Sequence, residues 1–334
     1  MNKLLFFFIS FMMVSACGSA DEFLEDLDED IPVDTILVNP PSPTDSTSIN
    51  PNDTITTKGD TIISPNDSTI ISQDTTIIDD TLTTSRTFEI KYKWLFNLNS
   101  KSTKSCQGFA IYGNDLLNFH DTNNVIDIYS LKTYKQIASI ELEPESAAHC
   151  NTVSFGTEFY SDEDKYPLLY AQQNGLLNKI NVYRIIYKDS IYSAQKIQTI
   201  SLTPCYHSLT AIDRVNKQLY VIYANNGKRY ISQIAIPNYS NSLTSVDLRK
   251  AQKTHAISIP KVVQDTAFDN GKLYFICGKS KEGELWIIDM HTKIANIIDL
   301  TKYKMYDEPE GLEVYKGNVL ISFLNKSIYQ ITIK

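Results

Sequence analysis

From residue 87 to residue 334, apolar and polar positions alternate in short runs separated by Asn-Asp, Asn-Gly, Asn-Asn and Lys-Gly turns. A period of two places alternate side chains on one face of a strand, so each run of Ile, Val, Tyr, Phe and Leu reads as a β-strand. No stretch of useful length carries the period of a helix. One strand-turn-strand phrase recurs five times: over residues 109–119, 153–171 (with an insertion), 210–223, 266–275 and 312–323. In the first copy a third strand is expected near 125–129 and a fourth near 136–142; in the fourth copy they fall at 284–289 and 294–300. Five four-stranded units predict an all-β chain folded as a five-bladed β-propeller. The fifth unit holds only three strands, and residues from about 87 to 97 supply a spare one. Pairing that spare with the last blade seals the ring and removes two exposed edges. A β-sandwich would not need five copies of one phrase.

The first 86 residues follow a different pattern. Lys3, an apolar run over residues 4–14 and the sequence Val14-Ser15-Ala16-Cys17-Gly18 come first. The run is shorter than the roughly 20 residues that cross a bilayer, so it reads as a cleaved signal rather than a span. Its end resembles the lipobox of bacterial lipoproteins. That resemblance implies cleavage after residue 16 and a lipid on Cys17. The acidic tract Asp21-Glu22-Phe23-Leu24-Glu25-Asp26 that follows resembles the export signal of surface lipoproteins in the Bacteroidota. The alternative is a charged tether facing the periplasm.

Residues 31–86 are rich in Ser, Thr, Asp, Asn and Pro, and Asp53, Asp60, Asp67 and Asp74 stand seven apart. A coiled coil would need apolar seams on good helix formers, whereas this seam would be Thr, Asp and Ile broken by Pro51 and Pro65. Triplets such as Asp53-Thr54-Ile55 and Asp60-Thr61-Ile62 resemble the Asp-Ser/Thr motif that Bacteroidota use for protein O-glycosylation. The resemblance makes Thr35, Ser46, Thr54, Thr61, Ser68, Thr75 and Thr81 candidate acceptors on an extended stalk. The expected organisation is therefore a signal over 1–16, a lipidated stalk over 17–86 and a propeller over 87–334. The expected location is the outer membrane, lipid-anchored and facing the cell surface.

Charge supports this division. The chain's net charge is −8, yet residues 18–86 carry 15 acidic side chains against Lys58 and Arg86. The remaining 24 acidic and 28 basic residues over 87–334 leave the head near neutral, which excludes a nucleic-acid binder built on a basic field. Besides Cys17 the cysteines are Cys106, Cys150, Cys205 and Cys277, with no CxxC pair; buried thiols and one or two disulfides are both open.

Candidate chemistry lies where the innermost strand of each blade begins, because those strands line the central channel. The residues there are polar: Gln107-Gly108, His149-Cys150-Asn151, Tyr206-His207-Ser208, Gln264-Asp265 and Glu308-Pro309-Glu310-Gly311. The His-x-Asn and Glu-Pro-Glu-Gly-Leu openings resemble those of five-bladed propeller lipoproteins of the Bacteroidota. Gln107, His149, Asn151, Tyr206, His207, Gln264, Asp265, Glu308 and Glu310 are thus the candidate ligand-binding residues, for a glycan or an envelope protein. In the plainer alternative these groups bond to one another and plug the channel. A glycoside hydrolase or lyase could pair Asp265 with Glu308 or Glu310, but Gln107 and His149 stand where such enzymes tend to place carboxylates. No complete catalytic set, metal site or cofactor motif is read. Strand alternation turns Cys150 away from the channel if His149 faces it.

Overall fold

The computed structural model describes residues 83–85, 89–98, 105–121, 123–142, 150–173, 178–225, 228–251, 253–259 and 261–333. Cys17, Thr35, Ser46, Thr54, Thr61, Ser68, Thr75, Thr81 and His149 lie outside the described residues, as does the side chain of Tyr206.

Two strands, β1 (Thr83–Ser85) and β2 (Ile90–Asn97), precede the first blade, which comprises β3 (Cys106–Tyr112), β4 (Asp115–His120), β5 (Asn123–Ser130) and β6 (Lys135–Glu141). Blade two is β7 (Cys150–Phe155), β8 (Leu169–Gln173), β9 (Lys179–Lys188) and β10 (Ile191–Thr203). Blade three is β11 (Tyr206–Asp213), β12 (Gln218–Asn225) and β13 (Lys228–Ala235), completed after β14 (Leu243–Asp247) by β15 (Lys253–Ile257). Blade four is β16 (Val263–Asp269), β17 (Lys272–Cys277), β18 (Glu284–Asp289) and β19 (Ile294–Asp299). Blade five is β20 (Pro309–Tyr315), β21 (Asn318–Phe323) and β22 (Ser327–Ile333), and β2 supplies its fourth strand by pairing antiparallel with β22. The expected five-bladed propeller and its closing strand are both present.

Local chemistry explains the meanders. Asn270-Gly271 and Lys316-Gly317 have positive φ at both positions, the conformation that lets a tight turn match the twist of its flanking strands. Neighbouring inner strands touch in the order β3, β7, β11, β16, β20 and back to β3, which makes a closed ring. Each is buried over most of its length because a blade covers both of its sides.

Five apolar cores fill the gaps between successive blades. Phe119 and Ile126 meet Val153 and Phe155 between blades one and two, and Phe96 and Ile328 meet Phe109 and Tyr129 between blades five and one. The ring is thus held by apolar burial at every joint, including the one closed by β2.

Two outer edges carry an added strand. β14, from the β13–β15 connection, runs parallel to β10, and β1 runs parallel to β19. Among the described residues strand pairing therefore includes Thr83–Ser85, ahead of residue 87. Covering an edge satisfies its row of backbone groups.

Candidate functional site

All five inner strands share one irregularity. The pairing register of each shifts at its first residues: between Cys106 and Phe109, Cys150 and Thr152, Tyr206 and Leu209, Val263 and Asp265, and Pro309 and Gly311. Each shift is a β-bulge, which leaves an extra residue without a ladder partner and re-aims its side chain. The residues inside the bulges are Gln107-Gly108, Asn151, His207-Ser208, Gln264 and Glu310. All seven belong to the polar openings read from the sequence, and five of them, Gln107, Asn151, His207, Gln264 and Glu310, are among its candidate ligand-binding residues; the structure gathers them at one mouth. His207 adopts φ 47°, in keeping with the bent backbone there.

Side chains at this level link neighbouring blades. Gln107 Nε2 donates to Glu310 Oε2 at 3.2 Å, joining blades one and five. Gln264 Nε2 donates to Glu308 Oε1 at 2.6 Å, joining blades four and five. Gln172 Nε2 donates to Ser208 Oγ at 2.9 Å, joining blades two and three. The set is incomplete. Gln107 is 2% exposed and Asn151 5%, yet Gln107 Oε1 and Asn151 Oδ1 accept no hydrogen bond among the described residues. The mouth is therefore partly closed by side chains bonded across blades, with two buried acceptors left unpaired among the described residues.

Burial pushes the Glu310 carboxyl well above its usual range, and the neighbouring Glu308 pushes it further; the Gln107 amide only partly offsets both. Glu310 thus holds a proton in the folded chain at pH values where an exposed glutamate is ionised. The sign follows from linkage: stability from this group is fully present below the ordinary glutamate range and is lost as pH rises toward the raised value. Glu310→Gln, which imitates the protonated acid, should match the wild type in thermal melts at pH 4.5 and exceed it by a few degrees at pH 8. A gap that stays constant across that range would refute the assignment.

Below this level the channel is braced. Thr152 Oγ1 accepts from Thr210 N at 3.2 Å. Asp265 is 0% exposed, and its two oxygens accept from Thr266 N at 2.7 Å and Leu312 N at 2.6 Å. Its carboxyl group ties blade four to blade five, and both of its oxygens are committed to backbone amides. Burial raises its pKa well above the usual range against the pull of those two amides.

At the far end Arg214 Nη2 bonds Glu313 Oε2 at 3.2 Å while Arg214 Nε donates to the Phe155 carbonyl at 3.0 Å, so one guanidinium spans blades two, three and five. Neither Arg214 nor Glu313 stood out in the sequence, where each reads as one more surface charge beside a turn. Nor did the buried brace of blade one, in which Asp127 takes His120 Nε2 at 2.8 Å and Ser139 Oγ at 2.5 Å.

The cysteines resolve to four buried free thiols. Burial raises all four, Cys106 and Cys277 to about 12 and Cys205 to about 11, so they are protonated and poor nucleophiles. Among the described residues no three His, Cys, Asp or Glu side chains are grouped to hold a metal.

No protein-family model matches the chain, and no curated protein matches it. Solved structures resemble it in fold. Myxococcus xanthus glutaminyl cyclase is similar over 76% of this chain and 99% of its own, with 10% identity and a TM-score of 0.49. The PQQ-bound aldose sugar dehydrogenase of Streptomyces coelicolor covers 74% of this chain and 99% of its own at 10% identity, TM-score 0.46. An inactive Staphylococcus aureus virginiamycin B lyase with quinupristin covers 73% and 99% at 12% identity, TM-score 0.40. Likeness this distant carries nothing about chemistry, since one fold hosts many functions.

Proposed function

We propose that this chain is a lipid-anchored, surface-facing binding protein whose propeller binds hydroxyl groups of a glycan at the mouth. The observation that carries the reading is the pair of buried acceptors, Gln107 Oε1 and Asn151 Oδ1, on adjacent inner strands. A buried polar group left unpaired costs about 1–3 kcal/mol, so a ligand that donates to both recovers that cost. A sugar hydroxyl donates one hydrogen bond and accepts others. The rest of the rim suits such a ligand: a carboxyl held neutral on Glu310, a glutamate in Glu308 and the amide of Gln264. These groups disfavour phosphates and nucleic acid.

Turnover is the weaker reading. Asp265, the residue that a hydrolase would recruit from blade four, has both oxygens committed to backbone amides. The anchor rests on the lipobox-like sequence ending at Cys17, and the surface orientation on the acidic tract after it.

Full-length protein in detergent, screened on a glycan array and then titrated with the best hit, tests the mouth. Gln107→Ala and Asn151→Ala should each weaken binding about tenfold, the effect of losing one good hydrogen bond. Unchanged affinity in both variants would remove the site from the mouth, and capture of an envelope protein alone would replace the glycan as ligand. Fractionation of cells expressing Cys17→Ala tests the anchor, because normal processing and membrane retention of that variant would sink it.

A further inference from the structure

The opposite face, where the inner strands end, carries a cavity. It lies between blades one and two, has a volume of about 410 Å³ and is lined by Tyr112, Asn114, Asp115, Lys132, Lys165 and Tyr166 among others. That is within the range of small-molecule sites, about 300–1,000 Å³. Its wall is preorganised. Lys165 Nζ lies 2.7 Å from Asp115 Oδ2, donates to the Tyr192 hydroxyl at 2.9 Å and stands 4.9 Å from the Tyr166 ring centre. Tyr166 donates to the same Asp115 oxygen at 2.7 Å. Tyr112 remains 37% exposed, yet its ring is held by Phe155 at 5.7 Å and by Tyr166 at 6.1 Å. An aromatic face fixed at a cavity rim offers stacking area at little entropic cost.

The polar groups left over define the ligand. Asp115 Oδ1 accepts nothing among the described residues. Asn114 uses its oxygen to accept from Tyr315 at 3.0 Å, which leaves its NH2 to donate. Lys132 has no carboxylate partner among the described residues. Two ammonium groups against one carboxylate leave a single positive charge over.

We infer that this cavity is a separate binding site for a sugar ring bearing one carboxylate, a uronic-acid unit of an acidic glycan. Lys132 pairs with the sugar carboxylate, Tyr112 stacks under the ring, and Asp115 Oδ1 and the Asn114 amide take its hydroxyls. The site is independent of the mouth, since it is built from other residues on the other face.

The test is titration of the full-length protein with a galacturonate disaccharide, beside the neutral galactose disaccharide and inorganic sulfate. The uronate should bind, more weakly as salt rises. Lys132→Glu and Tyr112→Ala, both at exposed positions and checked for unchanged melting, should each lower its affinity roughly tenfold. Loss in Lys132→Glu without loss in Asn151→Ala would separate this site from the mouth. Absence of uronate binding, equal binding of the neutral disaccharide, equal binding of sulfate, or an unaffected Lys132→Glu would each overturn the inference.

Discussion

Replacing Asp265 with alanine should destabilise the propeller by about 3–5 kcal/mol, enough to lower its melting temperature by roughly 10 °C or prevent its folding. The substitution removes both acceptors of the Thr266 and Leu312 amides, at a site with no exposure. Each amide would then be buried without a partner, at about 1–3 kcal/mol apiece, and the lost carboxyl would leave a small void. Asp265→Asn keeps one acceptor and presents an NH2 to the other amide, so its loss should be intermediate. Chemical denaturation of the three proteins checks this order. If Asp265→Asn instead left stability intact while abolishing a glycan-cleaving activity, Asp265 would be an enzymatic carboxylate and the bracing role would be wrong.

Gly108→Ala is the second large effect, expected at about 3 kcal/mol, toward the upper end for an overpacked core. The added Cβ would stand 2.3 Å from the Asn151 carbonyl oxygen, 2.9 Å from its carbon and 3.2 Å from Thr152 Cα. All three are backbone atoms of β7, so no rotamer change relieves the clash; β3 and β7 must part. Gly108 has no positive φ, hence the cost is steric and not conformational. Gly113 supplies the control. Its φ is +62°, and a Cβ there would meet nothing within 4 Å. Gly113→Asn should therefore melt close to the wild type, because asparagine tolerates the left-handed region. Comparable losses at both positions would show that chain flexibility, rather than strand approach, sets the requirement at 108. Since β3 and β7 carry Gln107 and Asn151, a Gly108→Ala protein that does fold should also bind glycan poorly.

Both variants act at joints between blades, and those joints mark how much of the molecule could be read in advance. The period-two runs and the five-fold phrase were enough for a propeller, because a strand that alternates apolar and polar residues has few other ways to bury its face. The closing role of β2 followed from strand counting, since an unpaired edge is costly. The mouth was legible for a similar reason: polar residues at the head of an otherwise apolar inner strand must face something other than the cores. The pairing of polar atoms was not legible, nor was the commitment of Asp265 to backbone amides instead of a ligand. In the sequence Asp265, Glu308 and Glu310 are three equivalent carboxylates.

The amino-acid sequence by itself determined the strands, their turns, the number of blades and the end of the ring where polar groups collect. These properties depend on neighbours a few residues away and on a repeat that each blade states separately. Tertiary structure alone decided which buried oxygens remain open, why Gly108 must lack a side chain, how Arg214 reaches Glu313 and how Lys165 comes to stand among tyrosines. Each of those depends on contacts between blades or across turns, and hydrogen bonds and close packing are set by distances of a few tenths of an ångström. Such distances are fixed only when five separately encoded sheets close into one ring.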